Sequence, residues 1–581
     1  MSKIKGDKTK IFSAEALERA QEEKRDTEGY GATEEAVTYS GIPLKPVYSP
    51  DDIAGTSYDD IPLPGRYPYT RGLDPMGYRV NPWRMHQFFG YASGADTKKR
   101  WEYLRSIGYS NRVGRDEVEE KELPIFRIAT DLPSERGYDP DEPEARGRVG
   151  GCGISLSTME DMKLLLDGVP LDRTWVLLVL MNTSLVGNAL YVAYAGTRGY
   201  SPNQLLLRGH NVLYHCCQED IISFPPEYAK RLMIENIYYI IKHMPKSSHT
   251  SLSAYDTGEM GATGVQQVAF MYALTIDLIK EGIKVGLDPD DLASGFYHHS
   301  WVGLDLFEEV AKSRCQRRLW AKIMKDRFGC KSPSAIQCRD IFPFTAGSLH
   351  TAQEPLNNII RVTIMALAAV LGGAEGIHTT SYDEDLCIPT EEAVRIAIRT
   401  QQILYHEASL PYVTDPLGGS YYVEWLTNKF EEEVVKYLNE IERQGGFFKC
   451  WENGFIRSEI ERTINERQRK ISRGEIVVVG QNKYRLPLEQ QPEITIFPEH
   501  DPEFEEEAIA RVREFRRRRD QERTNAALAN VRDAAKAIVE DWPRSSGILM
   551  PAMIDALKAD ATLGEVHRIL REVFGYAYIG V

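Results

Sequence analysis

From about residue 86 to 400 the chain alternates between two hydrophobic rhythms. Short β-rich runs recur as TWVLLVLMNTS (174–184), NQLLLRG (203–209), HTSLSAY (249–255), ASGFYHHSW (293–301) and EGIHTTS (375–381). Between them lie longer stretches with helical spacing of apolar residues: GVQQVAFMYALTIDLIKEG (264–282), LDLFEEVAKSRCQRRLWAKIMKDRFG (304–329) and NNIIRVTIMALAAVLGG (357–373). Strand–helix alternation of this length predicts an α/β fold with a parallel sheet, and about eight such units close a TIM (β/α)8 barrel. No G-x-G-x-x-G follows an early strand, which weakens a dinucleotide-binding alternative.

The flanks differ. Residues 1–40 are charged and poor in large apolar groups, with a helix expected near 13–25. Residues 41–85 are rich in Pro, Gly and Tyr, which excludes long helices and predicts an extended segment lying on something larger. Beyond 400 the chain reads as helical and charged, ending in the amphipathic TLGEVHRILREVFG. The basic run REFRRRRDQER (513–523) is punctuated by acids and is expected to be a solvated helix face with i,i+4 pairs. The expected organisation is an arm and wrapping segment (1–85), a barrel (86–400) and a helical C-terminal region (401–581).

Composition narrows the class. The 581 residues carry a net charge of −15, which disfavours nucleic acid as a general partner. None of the 8 cysteines forms a Cys-x-x-Cys pair, so neither a zinc ribbon nor a disulfide framework is expected. The N-terminus lacks the apolar core of a signal peptide, and the longest apolar run, WVLLVLM (175–181), is too short to span a membrane. A soluble cytoplasmic protein is the expectation.

The string SLSAYDTGEMGAT (251–263) carries Asp256 and Glu259 where a strand gives way to a helix. In parallel α/β folds that junction is where active sites are built, although Asp256 could instead cap the helix that follows. His298 and His299 are strand neighbours and point to opposite faces, so one of them can face a barrel interior but both cannot bind one metal. No metal site is expected. His215, Cys216 and Cys217 read as core residues, and TAGSLHTAQEPLNN (345–358) as a loop rich in hydroxyls and amides.

A set of longer strings resembles the large subunit of the coenzyme B12-dependent acyl-CoA mutases, which act on methylmalonyl-CoA, isobutyryl-CoA or 2-hydroxyisobutyryl-CoA. The carriers include PGRYPYTRG (64–72), DLPSERGYDPDEPEARGRVG (131–150), EMGATGVQQVAF (259–270), TAGSLHTAQEPLNNIIR (345–361), DPLGGSYYVEWLT (415–427) and VGQNKY (479–484). The likeness runs from about residue 45 to the C-terminus. It implies a TIM barrel with a hollow lined by small polar residues, an acyl-CoA threaded along the axis, and adenosylcobalamin covering one end. The family's cobalt-binding Asp-x-His-x-x-Gly is absent, since none of the 12 histidines has Asp two residues earlier. The resemblance therefore implies a split enzyme with a separate B12-binding small subunit carrying that motif, as two large and two small subunits.

Carried over residue by residue, Glu384 matches the glutamate that holds the adenosyl ribose, and Glu259 a second carboxylate beside the cofactor nucleoside. Gly90 matches the glycine that leaves room for the adenosyl group, and Thr380 stands where the family has a ribose-binding asparagine. The substrate side departs from the family. Asp256 replaces the histidine that bonds the thioester carbonyl, Glu219 the arginine that clamps the methylmalonyl carboxylate, and Phe88 the active-site tyrosine. His299 replaces a pocket phenylalanine, and Phe342 and Phe344 replace a histidine and a glutamine. Asn81 and Gly295 replace arginines, and Gly209 is grouped with the substrate-binding positions. Like charges about 4 Å apart repel by roughly 4 kcal/mol at an effective dielectric near 20, so Glu219 disfavours methylmalonyl-CoA. The resemblance thus implies a radical 1,2-rearrangement of an acyl-CoA other than methylmalonyl-CoA. The alternative is a non-catalytic subunit with an assembly or regulatory role.

Overall fold

The structure, a computed structural model, describes residues 12–27, 36–115, 123–213, 222–490 and 501–578. Its centre is parallel sheet. Strands β1 (Arg84–His86), β2 (Leu123–Ala129), β3 (Thr174–Val179), β4 (Thr250–Ser253), β5 (Phe296–Val302), β6 (Ile341–Thr345) and β7 (Gly376–His378) are each followed by helix. The helices of this layer are α1 (Gly94–Ser106), α2 (Met159–Leu166), α3 (Ser184–Thr197), α4 (Pro226–His243), α5 (Gly264–Lys284), α6 (Leu306–Lys322), α7 (Asn357–Leu371) and α8 (Glu391–His406).

The ladders form a five-stranded sheet in the order β1-β7-β6-β5-β4 and a separate β2-β3 pair. Isolated parallel bridges stand at the gaps: Phe89 with Ile128, Val176 with Leu207, and Arg208 with Ser248. The stretch 203–209 is thus not a ladder strand. Pro202–Gln204 is a 3-10 turn, and the chain touches its neighbours through Leu207 and Arg208. Runs 174–184, 249–255, 293–301 and 375–381 each contain a strand, while β1 (RMH), β2 (LPIFRIA) and β6 (IFPFT) were not expected. Pro343 cannot donate to a ladder, and Arg127 interrupts an apolar run, so both segments look unlike central strands.

Parallel register aligns His299 of β5 with Ser253 and Phe342, and His378 of β7 with Phe344 and His86. The space between strands is not a hollow lined by small polar groups. Ile125, Leu177, Tyr297, Phe342 and Phe344 form a cluster of their own there, with Phe88, Trp175, Val179 and Tyr255 packed against it. Arg127 and Arg208 are buried beside these rings. The expectation of an open axis is corrected accordingly: aromatic faces and guanidinium planes stack and fill the volume that small side chains would leave.

Helix α9 (Tyr421–Arg443) packs on α6 and α5. The join is ionic. Arg314 of α6 pairs with Asp415 and with Glu424 of α9, all with nearly fully buried side chains. Arg71 of the Pro-rich segment takes the other oxygen of Asp415, which fastens that segment to the same junction. The basic run is also structural. In α10 (Pro502–Arg518) Arg516 pairs with Asp139 and Asp141, and Arg519 just beyond it pairs with Glu565. Those two are tertiary anchors to the loop after β2 and to the last helix, Leu563–Phe574, whereas Arg517 and Arg518 between them are exposed and pair with Glu514 at i,i+3 and i,i+4, as the expected solvated face does. Among the described residues, no helix is long and apolar enough to cross a membrane.

Candidate active site

Two cavities open at opposite ends of the strands. At the C-terminal ends, one of about 700 Å³ is bounded by Phe88 and Gly90 after β1, Ala129 on β2, Tyr255 after β4, and His378 and Glu384 on and after β7. At the N-terminal ends, one of about 530 Å³ is bounded by the Pro-rich segment and by Arg71, Arg84, Arg112, Arg317 and Arg339. The stacked residues of the axis lie between them.

At the C-terminal mouth, β4 ends at Ser253 and a single helical turn, Tyr255–Glu259, carries both acids. Asp256 sits in that turn and does not cap α5. Thr263 does, in a reciprocal box with Gln266. Glu259 ends the turn, and its carboxylate accepts hydrogen bonds from the backbone N–H of Gly347 (3.1 Å) and Ser348 (2.8 Å). A Cβ on Gly347 would stand 3.3 Å from the Glu259 carboxylate and 3.6 Å from Glu384 Cγ, so the two acids meet across this glycine. Burial pushes the Glu259 carboxyl up to about 7, against the pull of those N–H groups. Glu384 keeps an exposed side chain, yet it reaches into the mouth, where desolvation and then the charge of Glu259 push it up to about 8.

The turn that presents Glu384 is held at both flanks. Thr390 N–H and Oγ1 donate to Asp383 at 3.0 and 2.9 Å, and Asn358 of α7 donates to the Tyr382 carbonyl and bonds Thr351 in both directions. Thr380 is buried behind it. Its N–H donates to Thr345 Oγ1 at 2.8 Å and its own Oγ1 lies 3.1 Å from His350 Nε2. Gly90 serves the backbone directly: a Cβ there would fall 2.3 Å from the Ala129 carbonyl oxygen, where the chain passes from β1 to β2. Glu135, which sequence reasoning did not single out, joins the acids of this mouth. Burial, then Asp131, and also Asp256 push its carboxyl up to about 8.

Deeper on the axis, Arg127 lies 4.8 Å from the ring centres of both Phe88 and Phe344. Its Nη2 is 2.6 Å from His299 Nε2, and His299 Nδ1 is 2.8 Å from Ser251 Oγ. A guanidinium only donates, so His299 accepts at Nε2 and carries its proton on Nδ1, as a neutral ring. Burial and then Arg127 hold His299 well below the usual histidine range. His298 points the other way, to the Arg339 carbonyl and the edge of Trp320, as strand alternation requires. Phe342 stacks on His86 at 4.2 Å, and Phe344 meets Tyr255 and His378.

Towards the N-terminal mouth, Arg208 stands over Trp175 (4.3 Å) and bonds Asp340 (2.6 Å), which also takes Arg84 (3.0 Å). Burial alone would raise Asp340, but these two arginines outweigh it and hold the carboxyl low. Asn81 lines this mouth and donates to Asp74. Gly209 and Gly295 are places of close packing: a Cβ on Gly209 would meet the His249 carbonyl oxygen at 2.6 Å, and one on Gly295 would meet the His249 ring at 2.1 Å. Glu219, with His215, Cys216 and Cys217, lies outside the described residues.

Known relatives match along nearly the whole chain. A family model described as methylmalonyl-CoA mutase covers residues 37–576. The 2-hydroxyisobutanoyl-CoA mutase large subunit of Aquincola tertiaricarbonis is 35% identical over 542 residues, which is 93% of this chain and 92% of that protein. The methylmalonyl-CoA mutase of Rhizobium meliloti (strain 1021) is 35% identical over 539 residues, covering 93% of this chain and 72% of the relative. The mitochondrial methylmalonyl-CoA mutase of Homo sapiens is 33% identical over 541 residues, covering 93% and 68%. With a parallel α/β core, acids grouped at the strand ends and matches of this extent, the chain belongs to the methylmalonyl-CoA mutase family.

Proposed function

We propose that this chain is the large, catalytic subunit of an adenosylcobalamin-dependent mutase that rearranges the carbon skeleton of an acyl-CoA other than methylmalonyl-CoA. The observation that carries the proposal is the Glu259–Glu384 pair facing across Gly347 at the C-terminal mouth. The sheet is taken as an eight-position barrel, with residues 207–208 as the fourth position. The parallel bridges at Phe89, Val176 and Arg208 support that closure.

The polar rim suits a cofactor nucleoside. Ribose hydroxyls both donate and accept, and carboxyls raised to about 7 and 8 can accept when ionised and donate when protonated. Glu259 and Glu384 would hold the nucleoside. Gly90 keeps the β1–β2 junction tight beside it, and Phe88 closes the floor against water. When bound, adenosylcobalamin supplies an organic radical through homolysis of its cobalt–carbon bond. At the opposite mouth the arginines suit the phosphates of a CoA tail. A small partner subunit would hold the corrin beside the C-terminal mouth. The name "large subunit" on the Aquincola relative, nearly all of which is matched, supports that arrangement.

The test is reconstitution. The chain, an Asp-x-His-x-x-Gly small subunit and adenosylcobalamin are combined with a panel of acyl-CoAs. Isomerisation and the absorbance change of cobalt–carbon cleavage are then followed. We expect at least one substrate to turn over only when all components are present. Turnover without cobalamin, or no cobalt–carbon cleavage with any thioester, overturns the proposal.

A further inference from the structure

The axis holds a buried cation with no acid to balance it. Arg127 is fully buried, and its Nε and Nη1 make no hydrogen bond. Its Nη2 meets the neutral His299, and both faces of the guanidinium lie against phenyl rings. The other ionisable groups around it do not supply a negative charge. His86 and His378 are buried and held neutral, and Arg208 is a second cation whose acid, Asp340, is already shared with Arg84. Among the described residues no carboxylate reaches Arg127.

An uncompensated charge in such a place costs several kcal/mol, and a methionine or leucine would fill the same volume without that cost. The cost is recovered if an anion arrives with the ligand. The guanidinium hydrogens not spent on His299 can donate to the oxygens of a carboxylate. The position of Arg127, beneath Phe88 and His378 on the floor of the C-terminal mouth, is where an acyl group entering along the axis would end.

We infer that Arg127 receives a carboxylate borne by the acyl group, so that the substrates are carboxyacyl-CoA thioesters. This rests on the mutase assignment above. It places the anion on β2. The rings of Phe88 and Phe344 occupy the room the carboxylate needs, so one of them turns aside when it binds.

Titration calorimetry on the full chain tests this with thioesters matched in shape: ethylmalonyl- against 2-methylbutyryl-CoA, and glutaryl- against pentanoyl-CoA. We expect at least one acid to bind about 30-fold or more tightly than its neutral match. Arg127→Met should erase that preference and Arg127→Lys should keep part of it. Equal binding within every pair overturns the inference, because the chain then neutralises Arg127 itself. Preference that survives in Arg127→Met also overturns it. Should Arg127→Met not fold, a weakened preference in Arg127→Lys supports the assignment and an unchanged one refutes it. Failure to bind CoA or any thioester would strike the mutase assignment itself, whereas binding without regard to the carboxylate strikes this inference alone.

Discussion

Glu259 and Glu384 make the mouth sensitive to pH in a direction opposite to most surface acids. Desolvation places the Glu259 carboxyl near 7, and desolvation in the mouth followed by the charge of Glu259 places Glu384 near 8, against an ordinary value of 4.5. The folded state therefore holds protons that the unfolded chain releases. The stability contributed by the pair is complete below about pH 4.5 and is lost as pH rises through 7–8. Melting curves should show a Tm that falls between pH 5 and pH 8.5. Glu259→Gln should flatten that fall and raise stability at pH 8 by on the order of 1 kcal/mol, a figure discounted for water in the mouth. An unchanged slope in the variant would mean that the two carboxyls titrate independently near their ordinary values. At this scale the sequence was informative about which side chains gather near the mouth: Phe88 and Glu384 line it, and Glu259 lines an adjoining cavity with Tyr39, Ser348 and Arg467. It was silent about Arg127 and Glu135. Both lie in stretches where nothing local distinguishes a buried charge from a surface one, and their meaning comes from neighbours more than a hundred residues away, such as His299 and Asp256.

Helix α6 shows how far local pattern can mislead about an element. FEEVAKSRCQRRLWAK is dense in charge, yet Glu308, Glu309, Lys312, Arg314, Arg317 and Arg318 are all buried. Each is matched from outside the helix or along it: Lys312 by Glu309, Arg314 by Asp415 and Glu424, and Arg318 by Glu431 of α9. A lone amphipathic stripe would have predicted one wet face. The actual partner is α9, which covers that face with acids. Breaking such a pair strands a charge, so Arg314→Met should destabilise the chain by about 3–5 kcal/mol in urea denaturation. Arg395→Met removes an exposed pair with Glu392 and should change stability by less than about 0.5 kcal/mol. Similar costs for the two variants would refute the view that α9 is held by buried ions. Strands follow the same logic. Four of the five runs recognised as strands are ladder strands, because β-branched and aromatic residues in short runs have few other places to go. The fifth, 203–209, offers apolar residues but pairs only through isolated bridges. Of the three missed strands, β1 is only three residues long, and β2 and β6 carry an arginine or a proline that only the finished sheet explains.

For the whole molecule, the two cavities and the filled axis between them set a condition on function. A thioester whose tail rests among the arginines of one mouth and whose acyl group reaches acids at the other must pass Arg208, Trp175, Tyr297 and Phe342. These residues stack on one another across the axis, so an acyl group passing along it must part them. The resemblance pointed to an α/β fold with a parallel sheet; it could not foresee that the middle would be packed, because replacements at positions such as 342 and 344 fix volume only when all the strands are assembled. Trp175 reports on that step, since its indole lies 4.3 Å from the Arg208 guanidinium. Acyl-CoA should change the tryptophan emission of the chain, and Trp175→Phe should remove most of that change. A fragment that fills only the arginine-lined mouth, such as adenosine 3′,5′-bisphosphate, should leave the emission as it is. If a thioester that is turned over leaves the Trp175 signal untouched, the acyl group does not travel along this axis, and the route from tail to radical lies elsewhere in the fold.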